Sequence, residues 1–305
     1  MKPFGGQELP DKERSLVKGI ALDTWGDIRK RPLMWLILAA SSIPLIFFYD
    51  FFAPGLALTP AFSQTTYFIF LFVGYCTCFC IFFLFWCMAV NFYDDNVRRK
   101  GKLSYGGSYR KMVNWGLSSV WAGLVCGLVN LFAYMIAQIA VGMILSFFAS
   151  GQTGEGTEVI LSYLYNFFLS FLAADLIIVF IVMVPQMLFL EGGRRVEEVL
   201  KASYRLVKER YRDAILLFII PEIITRVFFL GAYFVAISMQ VQGVVFTLLL
   251  LSMALLSGAR TAFVAAAFNR FYYHILEEEK KKKRKGKPKK QAARKQAAKG
   301  KGKKR

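Results

Sequence analysis

Residues 67–92 read YFIFLFVGYCTCFCIFFLFWCMAVNF, and Tyr93-Asp94-Asp95-Asn96-Val97-Arg98-Arg99-Lys100 follows at once. A run of 26 residues without a charge is long enough to cross the roughly 30 Å hydrocarbon layer of a bilayer as a helix. No water reaches that layer, so each backbone N–H and C=O must be satisfied within the segment, which makes the run helical. A membrane β-barrel would show short alternating segments, and this stretch does not alternate.

Five more such runs lie outward from it, at 33–53, 114–148, 160–190, 213–238 and 243–270. The fold class is therefore all-α: a polytopic membrane protein with six transmembrane helices. The run 114–148 is too long for one plain crossing and is expected to tilt, to protrude, or to contain a re-entrant turn. The first run begins only after about thirty largely polar residues, so it reads as a retained anchor and not as a cleaved leader.

Lysine and arginine beside the runs set the orientation, because cations are disfavoured on the translocated side. Seven precede the first run (Lys2 to Arg31), six lie between the second and third (Arg98 to Lys111), and seven lie between the fourth and fifth (Arg194 to Arg212). The loops 54–66, 149–159 and 239–242 contain none. Six crossings place all twenty cations on one side together with the C-terminus; a count wrong by one would scatter them. The expected location is a cell membrane of cytoplasmic type, crossed several times, with both termini cytoplasmic.

A polar-apolar segment introduces each pair of runs. Residues 12–30 set Leu16, Val17, Ile20, Ala21, Trp25 and Ile28 along one helical stripe. Residues 196–212 set Val196, Val199, Leu200, Ser203, Val207 and Tyr211 opposite Glu197, Lys201, Arg205, Lys208 and Arg212, and 103–115 is a weaker version. Basic amphipathic helices of this kind suit the headgroup layer. The chain thus reads as three units of interfacial helix plus hairpin, organised as an amphipathic N-terminal segment (1–32), a six-helix membrane domain (33–276) and a polybasic tail (277–305).

Phe189-Leu190-Glu191-Gly192-Gly193 closes the fourth run, and Glu198-Val199-Leu200-Lys201-Ala202-Ser203 leads through Leu206-Val207-Lys208 into the fifth. With Ser257-Gly258-Ala259-Arg260 and Phe271-Tyr272-Tyr273, this resembles a family of uncharacterised prokaryotic six-span proteins. That family in turn resembles the membrane domain attached to some glycerophosphodiester phosphodiesterases. The resemblance implies a six-helix fold and no chemistry, and this chain carries no phosphodiesterase domain.

Four charged residues lie inside the runs and clear of their ends: Asp175, Glu222, Arg226 and Arg260. Each costs several kcal/mol there unless paired or hydrated. Asp175 and Arg226 fall near mid-span, whereas Glu222 and Arg260 each lie about nine residues, roughly 13 Å, from the cytoplasmic end. Matched depths predict the pairs Asp175–Arg226 and Glu222–Arg260. Such pairs either fix helix packing or line a polar pathway for a small solute or lipid headgroup, with Asn130, Gln138, Asn166 and Gln186 assisting. The discriminator is pairing: neutralised pairs favour structure, and an unpaired acid favours proton coupling. Pro185 and Pro221 are candidate breaks near the cytoplasmic side.

Cys76, Cys78, Cys80, Cys87 and Cys126 sit among Phe, Leu and Ile, and read as small apolar side chains. His274, the single histidine, has no histidine partner for a metal site and is assigned no role. Gly123-x-x-x-Gly127 and Gly258-x-x-x-Ala262-x-x-x-Ala266 allow close helix contact, within the chain or in a homodimer. No nucleotide-binding glycine fingerprint, nucleophile elbow or metal-binding His-Glu motif occurs, so neither an enzyme nor a cofactor is expected.

Residues 280–305 hold sixteen of the 39 basic residues and no acid. The remaining 23 bases nearly balance the 20 acids, so the tail supplies most of the net charge of +19. Lys280, Lys281, Lys282, Lys283, Arg284 and Lys285 open it, and Lys287, Lys289, Lys290, Arg294 and Lys295 continue it. With no aromatic residue it cannot build a core, and disorder is expected. A topology anchor, anionic lipid headgroups at about 1 kcal/mol per cation, and ribosomal or other RNA are its open uses. The leading functional expectation is a non-enzymatic scaffold or accessory factor whose tail recruits an anionic cytoplasmic partner. The alternative is a small-solute or lipid transporter built on the charged cluster.

Overall fold

The computed structural model describes residues 9–48, 64–97, 105–114, 116–149, 157–191, 195–238 and 243–301. Among these residues all regular structure is helical: α1 (Leu9–Arg29), α2 (Pro32–Ile46), α3 (Gln64–Val97), α4 (Tyr105–Asn114), α5 (Gly116–Ala149), α6 (Thr157–Ile178), a 3-10 turn (Val179–Ile181), α7 (Val184–Glu191), α8 (Val196–Glu209), α9 (Tyr211–Ser238) and α10 (Val244–Lys301).

Five stretches are long and apolar enough to cross a membrane: Ile69–Asp94, Gly116–Ile144, Phe168–Leu190, Tyr211–Ala232 and Val244–Glu278. Their outward faces are apolar. Ile69, Phe72 and Val73 on α3, Phe132, Ile136, Ile139 and Met143 on α5, and Ile220, Ile224 and Val227 on α9 are all exposed. An apolar belt of this extent would be a liability in water and is what lipid requires. The chain fits a multi-pass membrane protein.

The first apolar run behaves differently. α2 has 15 residues, about 22 Å of helix, and falls short of the hydrocarbon thickness. The remainder of the expected crossing, 49–53, lies outside the described residues. Of the run 114–148, the part from Gly116 onward lies in one unbroken helix of 34 residues, Gly116–Ala149, with no re-entrant turn.

α10 is the hub, touching α1, α2, α3, α7 and α9. Its faces divide by size. Leu248, Leu251 and Leu255 point outward, whereas Ala254, Ser257, Gly258, Thr261, Ala262, Ala265 and Ala266 are buried. Small side chains let backbones approach, and α2 uses this most closely. Met34 and Leu38 pack on Ala262, Ala265 and Ala266, and the Trp35 indole N–H donates to the Leu255 carbonyl at 2.5 Å. Gly123 and Gly127 of α5 serve the same purpose against Phe83 and Phe79 of α3.

The fourth run is broken where Pro185 withholds an N–H from the carbonyl of Ile181. Val179–Ile181 tightens to a 3-10 turn before α7 resumes at Val184. The interruption is clamped from α8: Ser203 Oγ donates to the Phe180 carbonyl at 2.7 Å, and Phe180 packs on the rings of Tyr204 and Tyr211. On α8 the expected stripe Val196, Val199, Ser203 and Val207 is buried, with Glu197, Lys201, Arg205 and Lys208 exposed. Pro221 lies inside α9 without ending it.

On α1 the buried stripe is Ile20, Thr24 and Ile28, and Trp25, expected to share it, is exposed. The cause is electrostatic. Arg270 of α10 bonds Asp27 at 2.5 Å and Asp23 at 3.3 Å, which turns Thr24 inward and Trp25 out. α10 continues through the polybasic stretch to Lys301, and the side chains beyond Lys281 lie outside the described residues. Lysine, arginine, alanine and glutamine are good helix formers, whatever their inability to build a core.

Candidate functional site

The four intramembrane charges come together. α6 presents Phe171 and Asp175 one turn apart, α9 presents Glu222 and Arg226 one turn apart, and α10 adds Ser257, Arg260 and Thr261. They meet in a chamber of about 140 Å³ that α2, α3 and α5 close with Leu45, Ile46, Tyr75, Phe79, Phe83, Trp86, Asn130 and Tyr134. The walls are mainly apolar and rich in aromatic rings, and the polar groups converge from separate helices, which is the usual composition of a small-molecule site.

The pairing is a chain, not two separate pairs. Arg260 Nη1 donates to Glu222 Oε2 at 3.0 Å, and Arg226 Nη2 lies 3.5 Å from the same oxygen. Arg226 Nη2 also lies 3.8 Å from Asp175 Oδ1, beyond hydrogen-bonding distance. Its guanidinium sits 4.1 Å from the Phe171 ring centroid, a cation–π contact. Glu222 is thus held by two guanidiniums. Asp175 is only 1% exposed, and its Oδ2 has no hydrogen-bond partner among the described residues.

That asymmetry matters energetically. A buried carboxylate costs several kcal/mol, which a well-formed ion pair with good hydrogen bonds offsets. Glu222 has one such bond, from Arg260, whereas Asp175 Oδ2 has none among the described residues. Glu222 and Arg260 form the tightest link of the chain, while Asp175 is held only by its longer ion pair with Arg226 at 3.8 Å.

Of the expected helpers, Asn130 lines the chamber, donating through Nδ2 to the Tyr75 hydroxyl at 2.8 Å. Gln138 is exposed on α5, Gln186 is buried away from the chamber lining, and the Asn166 side chain lies outside the described residues. Tyr75, Ser257 and Thr261 were not singled out by the sequence. Tyr75 is hidden in an aromatic run, but Ser257 and Thr261 lie four apart on one helix face beside Arg260 and could have been found. Cys126 reaches the chamber wall, and Cys76 and Cys87 lie in the core. His274 Nε2 is 3.2 Å from Glu278 Oε1, and Arg210 of α9's approach bonds the same carboxylate, so His274 belongs to a polar knot at the end of the bundle. Close by, the Tyr273 hydroxyl donates to Asp94, and Asn269 Nδ2 donates to the Val90 carbonyl at 2.8 Å. The basic tail takes no part in the chamber; Lys280 and Lys281 are exposed, and its further side chains lie outside the described residues.

No family model matches the chain, and no curated protein matches it. The functional reading therefore rests on the chemistry of the chamber.

Proposed function

We propose that the protein is a six-span membrane protein with both termini cytoplasmic, whose chamber holds a small polar solute or lipid headgroup. The observation that carries this is Asp175: a carboxyl buried in an aromatic chamber of about 140 Å³, 3.8 Å from its nearest cation. A frame built only for packing would have paired both acids as tightly as Glu222 is paired. The sixth crossing is the apolar run 33–53, which α2 begins, and the one-sided distribution of twenty cations supports the count. α1, α4 and α8 each stand before a pair of long apolar segments, which supports the three-unit arrangement. The family resemblance fits the same reading, since its densest stretch, 185–212, contains the Ser203 clamp. The reading is not enzymatic.

Asp175→Asn tests it. The variant is expected to accumulate in membranes like the native chain and to melt within a few degrees of it, because no short hydrogen bond is lost. Poor accumulation of an otherwise conservative variant would place Asp175 in the structural frame and defeat the solute reading.

A second reading concerns the tail. Lys280 and Lys281 are exposed on the helix that carries Arg260, so one element joins the chamber to the polybasic run. This supports a scaffold that recruits anionic lipid or ribosomal RNA through the tail. A chain ended at Glu279 should then lose salt-sensitive, RNase-sensitive copurification of ribosomes. Equal recovery with both chains would leave the tail as a topology anchor.

A further inference from the structure

The charge count of the chamber points to a ligand class, and this inference rests on the solute-binding reading above. Two carboxylates and two guanidiniums sum to zero when all are ionised. Asp175, however, has one oxygen enclosed with no hydrogen-bond partner among the described residues and the other 3.8 Å from Arg226. Asp175 is thus the less tightly held of the two acids, and when an anion enters beside it, it is the group placed to take a proton along with that anion. The other three groups then carry one positive charge between them. Arg260 commits one of its five N–H donors to Glu222, and its side chain, 18% exposed, lines the chamber. A planar guanidinium of this kind matches a carboxylate, which it can bind through two parallel hydrogen bonds.

Size and walls narrow the class further. A cavity of roughly 150 Å³ accommodates a benzene ring, and this one measures about 140 Å³ between Tyr75, Phe79, Phe83, Trp86, Phe171 and Phe218. We infer that the chamber takes a small aromatic or short-chain organic carboxylate, a monoanion, together with one proton on Asp175. The monoanion completes the charge that the proton unbalances, so the loaded chamber is again neutral. A cation would instead have to enter beside two guanidiniums, and a dianion would leave one negative charge buried.

The test uses the purified full-length protein in detergent micelles, with benzoate, benzamide, benzylamine and dimethyl phosphate as probes. Titration calorimetry in two buffers of different ionisation heat reads the protons taken up per benzoate. The expected result is benzoate binding with uptake close to one proton. Its affinity should fall as pH rises, approaching about tenfold per pH unit on the alkaline side, the slope that linkage of one obligatory proton imposes. Benzoate stays ionised on the alkaline side, so the slope belongs to the protein. In Asp175→Asn both the uptake and the slope should vanish. The native-protein measurements stand without that variant should it fail to fold.

Preference for benzylamine or benzamide would overturn the inference while leaving the chamber a solute site. Binding of dimethyl phosphate but not benzoate would assign the site to lipid phosphodiesters and overturn the carboxylate. A slope that survives in Asp175→Asn would remove Asp175 as the proton site. Silence from every probe would overturn the inference too, and the solute reading would then be judged by the accumulation of Asp175→Asn.

Discussion

Arg260→Ala should leave little folded protein in the membrane. Glu222 is 3% exposed, and its one short bond, 3.0 Å, comes from Arg260. Removing one partner of a buried pair typically costs about 3–5 kcal/mol, because the other charge stays buried without compensation. That is a large share of a whole domain's stability of roughly 5–15 kcal/mol. Arg226, 3.5 Å away, recovers part of the loss, but only by moving further from Asp175. The double change Glu222→Gln with Arg260→Gln should restore most of the accumulation, since neutral amides of similar volume can bond each other where a lone carboxylate cannot be satisfied. Detergent-solubilised yield and melting temperature of the native chain, Glu222→Gln, Arg260→Gln and the double change form a double-mutant cycle. Native-like behaviour of Arg260→Ala would mean that Glu222 is already hydrated, and that the chamber is a water-filled path and not a closed frame.

The meeting of these four residues was legible because helical rise is regular: residues at equal depth in adjacent spans are candidates to touch. Depth carries no information about rotation, however. Glu222 and Arg226 share one face of α9, so Arg226 divides itself between Asp175 and Glu222, and the two expected pairs become a chain. The break in the fourth run was legible in Pro185, whereas the clamp on it was not. Ser203 reads as one more small residue in an amphipathic stripe until Phe180 lies against it. α1 shows the opposite failure. Hydropathy placed Trp25 on the packed face, and two aspartates aimed at Arg270 rotated the helix to bury Thr24. Hydropathy also gave the first apolar run the length of a full crossing; α2 forms Pro32–Ile46 of it, and 49–53 lies outside the described residues.

Gly258→Ala should be the most damaging single-methyl change in the chain's described glycines. A Cβ there would stand 2.5 Å from the Ala39 nitrogen and 2.7 Å from the Trp35 carbonyl oxygen. Both are backbone atoms of α2, so no side chain can swing aside, and the two helices must part. Overpacking typically costs about 1–3 kcal/mol, and a clash between two backbones belongs at the upper end. The damage should spread, because parting α2 from α10 also withdraws Met34 and Leu38 from Ala262 and Ala266 and stretches the Trp35–Leu255 hydrogen bond. Two other glycines supply the contrast. At Gly74 the new methyl meets only the ring tip of Phe48, a side chain that can turn, and the change should cost far less. At Gly231, exposed on α9 with nothing within 4 Å, alanine should be neutral or stabilise by up to about 1 kcal/mol, through helix propensity alone. Melting temperatures in detergent should therefore rank Gly231→Ala at or above the native chain, Gly74→Ala somewhat below it, and Gly258→Ala far below both. If Gly258→Ala instead melted with the native chain, α2 would not be seated on α10 at all. The hub would lose its closest contact, and with it the wall that Leu45 and Ile46 give to the chamber.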